Sequence, residues 1–567
     1  MSDNNNLKVV LCWHMHQPDY RGPEHGDFQL PWVYLHAIKD YVDMACHLEQ
    51  TPDARAVVNF APVLLEQLED YALQIENWLD SGVLIRDPLL AALAGPGLPL
   101  DHASRWELIR SCQRANEKHL VNRFRTFHRL VEITKLVDEH DESLMYLNDQ
   151  YLADLLVWYH LAWMGEYART NDIRIKSLEK KRIGFNADDR RSLVQAIGDL
   201  VGSTVSRYRK LAEAGRVELS VTPYAHPIVP LMLDLHSSRE AMPDVSLPDA
   251  VTYPGGEPRT RWHIRKGIEV FKRHFGFVPK GCWPSEGAVS SETLRLLEEE
   301  GFDWAASGQQ VLHNSLAAFG GGQALAESWV HKPYRLDEGK LCSFYRDDGL
   351  SDLIGFTYAD WHADDAVGNL VQHLETIAEV TSDEPNRVVS IIMDGENAWE
   401  YYPRNGWFFL TALYQKLAAH PQLDLTTFSE SIKHQKVPAD SLSGLVAGSW
   451  VYGTFSTWIG DPDKNRAWEM LIEAKTVYDT VMTAGRLDPE QQEKASIQLG
   501  RCEGSDWFWW FGDYNPGDTV SDFERLFRLQ LTQLYRLLGE IPPGYLSEIF
   551  ARGSGDPSLG GVMRQNT

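Results

Sequence analysis

Short apolar segments that end in polar, reactive residues recur along this chain and constrain its fold more than any other feature. We predict six β-strands, separated by helix-like stretches, at residues 7–13, 56–60, 217–221, 280–283, 304–307 and 388–393. Strands that alternate with helices form parallel sheets or barrels with right-handed crossovers. Functional side chains of such folds collect at the carboxyl ends of the strands. Clusters after Trp13, around His226, at Glu286 and at Asp394 all follow predicted strands, so we expect them to meet at one end of the sheet.

Helical patterns dominate two other parts of the chain. Apolar residues recur at three- and four-residue spacing over 103–136, 148–164 and 188–214. After Gly406 the segments 407–419, 464–485, 488–500 and 521–538 are also helix-like. We therefore predict three parts: an α/β domain over 1–405 with a helical insertion around 100–215, a helical domain over 406–550, and a loose tail over 551–567.

The charge and the aromatic content narrow the range of ligands. The formal net charge is -26 at pH 7, whereas nucleic acids and anionic membranes are bound by basic surfaces. We therefore expect neither as a partner. The chain has 19 Trp, 22 Tyr and 21 Phe, many of them beside acidic residues and glycines. Because aromatic rings stack on the C–H faces of sugars while polar groups bind the hydroxyls, this composition favours a neutral carbohydrate ligand.

The first residues and the cysteines favour a cytoplasmic protein. The segment Leu7 to Trp13 follows no basic region and is too short for the apolar core of a signal peptide, and no apolar run is long enough to span a membrane. The six cysteines are scattered without a CxxC pair, which is typical of reduced thiols and not of a disulfide framework or a zinc site.

Two carboxylates that directly follow predicted strands are the candidates for catalysis. Glu286 lies in the segment WPSEG at 283–287, and Asp394 ends the apolar segment 388–393 and precedes Gly395 and Glu396. A carboxyl group that emerges from a buried strand has a raised pKa, as a proton donor needs. Glycosidic cleavage requires two such groups. The alternatives are that Glu286 is a first-turn acid of the following helix and that Asp394 and Glu396 bind a cation, although Asp-Gly-Glu lacks the spaced oxygens of a calcium loop.

The segment His14-Met15-His16-Gln17-Pro18 ends the first predicted strand. Two histidines at i and i+2 of a strand point to the same face, where they can bind a metal or form hydrogen bonds to a substrate. No HExxH motif or Asp-x-His pair supplies a third ligand. We favour hydrogen bonding to a polyol and expect no metal and no cofactor.

A third cluster, EGSDWFWWFGD at 503–513, combines large aromatic side chains with flanking acids. We interpret it as a sugar-binding wall, because Asp506 and Asp513 at its edges fit poorly in a helix core. Burial of these aromatics in a helical core is the alternative interpretation.

Taken together, these segments resemble glycoside hydrolase family 57, the α-amylase and amylopullulanase family. Five motifs of that family occur in order, as HMHQP (14–18), GRVELSVTPYAHPIVP (215–230), CWPSEG (282–287), IMDGENAWEYY (392–402) and EGSDWFWWFGD (503–513). The resemblance extends over nearly the whole chain. One motif alone would be a weak signal, but five in order with intact carboxylates are specific.

The resemblance implies an incomplete (β/α)7 barrel with helical insertions, followed by a mostly α-helical C-terminal domain that closes the cleft, with no required metal. It implies a retaining glycosidase acting on α-glucans or maltooligosaccharides, with Glu286 as the nucleophile and Asp394 as the general acid/base. The expected substrate-binding residues are His14, His16, Gln17, Glu218, His226, Trp283, Glu396, Trp399, Trp450, Asp506 and Trp507.

One segment departs from the family pattern. After the predicted strand at 304–307, where many members carry an acidic pair, this chain has Ser307-Gly308-Gln309-Gln310. The departure leaves the two catalytic carboxylates intact and concerns the details of the subsites, and hence the length and linkage of the substrate.

Several activities stay open at this point. With water as the acceptor, the enzyme hydrolyses α-1,4 bonds, and hydrolysis of α-1,6 bonds as well is left open. The sequence SDWFWWFGD favours the amylopullulanase-like branch of the family. With a glucan acceptor it is a 4-α-glucanotransferase or a branching enzyme. Outside this class stand a metal-dependent sugar deacetylase, a mannosidase-like barrel and a non-catalytic glucan-binding protein. The oligomeric state is not predicted.

Overall fold

A computed structural model describes residues 6–138, 144, 146–250, 252–320 and 329–555. Within these ranges the strands are β1 Leu7–Met15, β2 Ala56–Phe60, β3 Val217–Val221, β4 Gly281–Cys282, β5 Trp304–Gly308, β6 Tyr334–Leu336, β7 Cys342–Arg346, β8 Val388–Asp394, β9 Leu423–Thr426 and β10 Asp440–Leu442. All six predicted strands are confirmed, with small differences at their ends.

Seven of the strands form a parallel barrel. Its order is β1-β2-β3-β4-β5-β7-β8, and β8 returns to pair with β1. β7 and β8 are joined through the pair Arg346 and Ser390. The predicted α/β barrel with seven parallel strands and helical insertions is thus confirmed. β6 lies antiparallel to β7 outside the ring, and β10 pairs with β6.

The α-helices between and after these strands lie at α1 Trp32–His36, α2 Val42–Gln50, α3 Pro62–Ser81, α4 Pro88–Ala94, α5 His102–Ser111, α6 Arg125–Asp138, α7 Asp149–Trp163, α8 Glu166–Asn171, α9 Ile173–Lys181, α10 Ala187–Glu213, α11 Val229–Leu233, α12 Ser238–Ala241, α13 Gly256–Phe275, α14 Ser291–Glu299, α15 Gln309–Phe319, α16 Asp348–Asp352, α17 Ala363–Val380, α18 Trp407–Ala418, α19 Phe428–Lys433, α20 Pro462–Thr483, α21 Pro489–Cys502, α22 Ser505–Trp510 and α23 Gly517–Leu537.

The long segment between β2 and β3 is the predicted helical insertion. The helices expected at 148–164 and 188–214 are α7 and α10, and both begin at an asparagine whose side chain accepts a backbone N–H, Asn148 and Asn186. The helix expected over 103–136 is interrupted. It comprises α5, a π-helical turn at Glu117–Val121, and α6.

The four helices predicted beyond Gly406 correspond to α18, α20, α21 and α23. Two strands follow the predicted boundary at residue 405, however, and both belong to the sheet. β9 pairs with β1, and β10 pairs with β6. The mostly helical part of the chain therefore begins after Leu442. Most of the predicted tail at 551–567 lies outside the described residues.

The inside of the barrel is packed with side chains. Val10 and Cys12 of β1, Val57 of β2, Trp304 of β5 and Phe344 of β7 belong to one buried cluster, which Phe428 of α19 joins. A filled barrel offers no channel for a ligand. The open carboxyl ends of the strands are therefore where a site can form.

Two further predictions from the sequence concerned membrane-spanning segments and the state of the cysteines. Within the described ranges, none of the helices has the length and apolar character needed to cross a bilayer. All six cysteines are buried free thiols.

Close packing inside the barrel leads to a stability prediction. A Cβ added to Gly281 of β4 would overlap the indole ring of Trp304. We expect Gly281→Ala to lower the free energy of unfolding by about 1–3 kcal/mol, the usual cost of overpacking a core. Urea denaturation measures this. The control is Gly97→Ala, whose added Cβ meets no atom within 4 Å, and an equal loss in both variants would contradict the prediction.

Candidate active site

Five predicted side chains lie at the carboxyl end of the barrel. His14 is the next-to-last residue of β1, and His16 directly follows that strand. His226 follows β3, Glu286 follows β4, and Asp394 is the last residue of β8. The strand register places His14 beside Asp394. The barrel therefore brings together residues as far apart in sequence as His14 and Asp394.

Asp394 has the surroundings of a proton donor. Burial raises the pKa of its carboxyl group to about 6, while the hydrogen bond from Asn397 and the positive charge of nearby residues such as Arg346 act in the opposite direction. Asn397 Nδ2 donates to Asp394 Oδ2 at 2.9 Å. Asp394 can thus be protonated in mildly acidic solution and ionised at higher pH.

Glu286 stands on a strained turn. Its φ of 56° and ψ of 26° lie in the left-handed region, which costs a non-glycine residue about 1–2 kcal/mol. Such strain persists where the surroundings hold the residue in place, and it is common at functional sites. Trp450 N–H donates to the Glu286 carbonyl at 3.1 Å, and Trp450 Nε1 donates to Glu286 Oε2 at 3.1 Å.

Three histidines lie between the two carboxylates. The rings of His14, His16 and His226 are within 18° of parallel, and His14 Nε2 lies 3.2 Å from His226 Nε2. Burial lowers the pKa of His14 to about 3 and that of His226 well below its usual range. His226 Nδ1 lies 3.8 Å from Glu286 Oε1. The two buried imidazoles are therefore neutral, and their ring nitrogens contact each other, Asn59 and Ser505.

The same three histidines are close enough to be considered as metal ligands, since their nitrogens lie within 4.8 Å of one another. Their ring orientation argues against a shared ion. A zinc ion lies about 2.0–2.1 Å from a ligating imidazole nitrogen, in the plane of the ring. His16 and His226 are stacked face to face with centroids 3.8 Å apart, so one ion cannot lie in both ring planes. The arrangement fits hydrogen bonding better than coordination.

The helical part of the chain contributes two contacts through the start of α22. Asp506 Oδ1 lies 2.8 Å from His16 Nε2. Ser505 Oγ lies 2.7 Å from His226 Nδ1, and Ser505 N–H donates to the His226 carbonyl at 2.8 Å. Asp506, which was predicted from the sequence as a substrate-binding residue, lies against His16. The start of α22 therefore contacts two of the three histidines directly.

The tryptophans divide into two groups. Trp450 is half-buried beside Glu286, and Trp283 packs edge-on against it with ring centroids 5.2 Å apart. Trp283, Trp399 and Trp507 are 0%, 1% and 2% exposed. Trp399 Nε1 donates to the Gly395 carbonyl, and Trp507 Nε1 donates to the Arg501 carbonyl. These three indoles lie in the protein interior and do not form an open surface.

The aromatic side chains of α22 and the residue that follows it are also buried. Residues 507–511 are between 0% and 8% exposed, and Trp507, Phe508 and Phe511 pack against Phe527 of α23. The structure therefore places this segment in the helical core, which corresponds to the alternative interpretation of the motif.

Gln17 and Glu396 support the loop after β1. Glu396 Oε1 accepts hydrogen bonds from His16 N–H at 3.2 Å and from Gln17 Nε2 at 3.1 Å. The Glu396 side chain is 1% exposed, and burial together with the charge of Asp394 raises its pKa well above the usual range. Both residues lie next to the site, where they hold His16 in position.

Glu218 lies apart from the other predicted residues. It is the second residue of β3, near the start of the strand, whereas His226 lies in the loop after the end of the strand. Its carboxylate accepts hydrogen bonds from Trp304 Nε1 at 2.6 Å and from the backbone N–H of Ser429 at 2.9 Å. These contacts link the barrel interior to α19. The Glu218 carboxylate therefore stabilises the fold through these contacts and does not lie in the cleft.

Three residues of the site were not predicted. Asn59 Oδ1 lies 2.7 Å from His14 Nδ1, Ser505 contacts His226, and Arg346 at the end of β7 donates through Nε to the Ile392 carbonyl at 2.9 Å. Asn59 had a usable signal, because it is the polar residue within the apolar strand Ala56–Phe60. Arg346 ends a strand that the sequence pattern did not reveal.

Comparison with known proteins agrees with this architecture. Solved structures of similar fold include a branching enzyme from Thermococcus kodakaraensis (TM-score 0.57, 14% identity, 94% of this chain and 90% of that chain). A branching enzyme from Pyrococcus horikoshii has a TM-score of 0.55 at 15% identity and covers 99% of both chains. An α-amylase from Thermotoga maritima has a TM-score of 0.55 at 14% identity, with 98% of this chain and 95% of that chain covered. No curated protein sequence matches the chain.

The family is established by sequence. The model of glycosyl hydrolase family 57 matches residues 10–443, which is more than half of the chain. The chain therefore belongs to glycosyl hydrolase family 57. The matched region ends just after β10 and includes His14, His226, Glu286 and Asp394.

The position of Glu218 leads to a prediction that separates a structural from a substrate-binding role. Glu218→Gln replaces one acceptor oxygen with a donor that cannot bind the Ser429 N–H or the Trp304 indole. We expect the free energy of unfolding to fall by about 1–3 kcal/mol, with KM unchanged. Thermal unfolding and steady-state kinetics measure the two effects. His16→Ala is the matched change at the cleft and should raise KM. A raised KM in Glu218→Gln at unchanged stability would contradict the structural role.

Proposed function

We propose that this member of glycosyl hydrolase family 57 cleaves the glucosidic bonds of α-glucans with retention of configuration, using Glu286 as the nucleophile and Asp394 as the general acid/base. The observation that carries the proposal is the difference between the surroundings of these two carboxyl groups. Asp394 has a raised pKa of about 6, whereas Glu286 stands on a left-handed turn and accepts the indole N–H of Trp450. Two carboxyl groups with such different surroundings suit an acid and a nucleophile.

In the first step the Glu286 carboxylate attacks the anomeric carbon of the sugar. The bond between that carbon and the glycosidic oxygen breaks, and Asp394 transfers its proton to the departing oxygen. The product is a glycosyl ester on Glu286 and a shortened glucan. Trp450 holds the attacking carboxylate through the hydrogen bond to Oε2, so little reorientation is needed before attack.

In the second step Asp394 is ionised and acts as the base. It removes a proton from the acceptor hydroxyl, whose oxygen attacks the anomeric carbon as the ester bond to Glu286 breaks. Both enzyme groups return to their starting states. Two inversions at the same carbon retain its configuration.

Of the three histidines, His16 is the proposed binding group for the reacting sugar. His14 and His226 are buried and neutral, and their ring nitrogens contact each other, Asn59 and Ser505, so their part is to hold in place the partly exposed His16 ring that stacks on His226. Asp506 orients His16 through a 2.8 Å contact. Trp450, which is half-buried, supplies aromatic surface beside Glu286.

The α-glucan substrate is proposed from the family and from its similar structures, which include branching enzymes and an α-amylase. Hydrolysis of α-1,4 bonds, with α-1,6 cleavage in an amylopullulanase-like enzyme, is the first candidate. Transfer to a second glucan is the other, and the branching enzymes among the similar structures support it. A cytoplasmic location stays a prediction, supported by six free thiols.

A product profile on maltooligosaccharides, pullulan and starch tests the proposed substrates. Products longer than the substrate would mean transfer, and maltotriose from pullulan would mean α-1,6 cleavage. We expect Glu286→Gln to lower turnover on every α-glucan by more than about a thousandfold, since the amide cannot form the glycosyl ester. Circular dichroism confirms folding. Activity near wild type in this variant would contradict the assignment of the nucleophile.

The surroundings of Asp394 predict the pH dependence of catalysis. The general acid must be protonated in the first step, so kcat/KM should fall as the pH rises through about 6. The hydrogen bond from Asn397 lowers this pKa. Asn397→Ala should therefore raise the pKa and move the alkaline limb to higher pH. The same profile for both proteins, or a shift to lower pH in the variant, would show that Asp394 is not the group that titrates.

A further inference from the structure

The segment Ser307-Gly308-Gln309-Gln310 lies against the turn that carries Glu286. Ser307 is the next-to-last residue of β5 and is 2% exposed. Its hydroxyl Oγ donates a hydrogen bond to the carbonyl oxygen of Gly287 at 2.5 Å. The contact therefore joins the end of β5 to the residue directly after Glu286.

The turn requires support from outside. Glu286 and Gly287 both have φ values of 56°, so two successive residues are left-handed and one of them carries a side chain that strains there. The intrinsic backbone preference of a glutamate does not favour these φ and ψ values at Glu286. Contacts from neighbouring elements must therefore stabilise the turn.

The carbonyl groups of the turn show which contacts do so. Those of Pro284 and Ser285 accept N–H groups from within the turn, from Gly287 at 2.8 Å and Ala288 at 2.9 Å. The Glu286 carbonyl accepts Trp450 N–H, and the Gly287 carbonyl accepts the Ser307 hydroxyl. The two supports from outside the turn thus come from two different parts of the fold.

The remaining residues of the segment hold the neighbouring loop. A Cβ added to Gly308 would lie 2.6 Å from the Cα of Trp450, so glycine allows the Trp450 backbone to come close. A Cβ added to Gly453 would lie 2.5 Å from Cγ of Gln310. β5 and the start of α15 therefore contact both the turn of Glu286 and the loop that binds its carboxylate.

We propose that Ser307 is a positioning residue that acts on Glu286 through the Gly287 carbonyl and sets the direction from which the carboxylate meets the anomeric carbon. The inference rests on the proposed role of Glu286 as the nucleophile. Loss of the hydroxyl leaves the Gly287 carbonyl without this donor, and the turn relaxes toward a less strained conformation. Because a displacement of about 1 Å at a reacting group costs roughly a hundredfold in rate, the effect falls on kcat and not on KM.

The test compares Ser307→Ala with Ser307→Thr, which keeps the hydroxyl, on an α-maltooligosyl fluoride. We expect Ser307→Ala to lower kcat by at least about tenfold at unchanged KM and Ser307→Thr to recover most of the rate. If the alanine variant does not fold, Ser307→Cys replaces it, since a thiol is only a weak donor. The control is Ser343→Ala on β7, another buried serine whose hydroxyl donates to a backbone carbonyl, that of Tyr334 at 3.2 Å. It should keep its kcat.

A second background shows whether Ser307 acts through Glu286. In Glu286→Ala, azide can take the place of the carboxylate: its nitrogen bonds to the anomeric carbon as the carbon–fluorine bond breaks and fluoride leaves. We expect Ser307→Ala to have no effect on this azide-dependent rate. An equal loss of rate with and without Glu286, or no loss in either background, would overturn the positioning role. Absence of any azide-dependent turnover would overturn the assignment of Glu286, and the role of Ser307 with it.

Discussion

The two hydrogen bonds between Trp450 and Glu286 join a loop beyond the matched family region to the left-handed turn at the end of β4. One bond fixes the backbone of the turn and the other fixes the carboxylate. Since the turn is strained, it keeps its conformation only while its partners are in place. The nucleophile proposed for the barrel thus depends on a residue that lies 164 positions later in the chain.

The other half of the site depends on strand register. Pairing of β1 with β8 places His14 beside Asp394, and pairing of β1 with β2 places His14 beside Asn59. A shift of one residue would turn these side chains to the other face of the strand. α22 then adds Ser505 and Asp506 to the two histidines that β1 and β3 supply. The barrel sets the positions of the acid and the histidines, and the helical part contacts His16 and His226.

The sequence was sufficient for the features that have a local signal. A short apolar segment that ends in a carboxylate is visible without any partner, and both Glu286 and Asp394 were found in this way, as were the six strands. The asparagines that precede α7 and α10, Asn148 and Asn186, are local signals for the start of a helix as well. The division of roles between the two carboxylates came from the resemblance to the family and is still a proposal.

Features that depend on distant partners were not predictable. Glu218 stands in a family motif, yet its contacts with Trp304 and Ser429 place it in the barrel interior. The aromatic segment at 507–511 has the composition of a binding wall, but packing against Phe527 buries it. Strand β7, which carries Arg346, has the sequence CSFYR, and its polar residues leave no continuous apolar segment to recognise. In each case the decisive contact joins residues far apart in sequence.

The central claim is that Glu286 forms a covalent bond to the sugar. A fluorinated α-glucosyl fluoride that forms the glycosyl ester faster than it is released, followed by proteolysis and mass spectrometry, measures this most directly. We expect one added sugar on the peptide that contains Glu286, together with retained anomeric configuration in the products by NMR. A label on another residue, or products of inverted configuration, would contradict it.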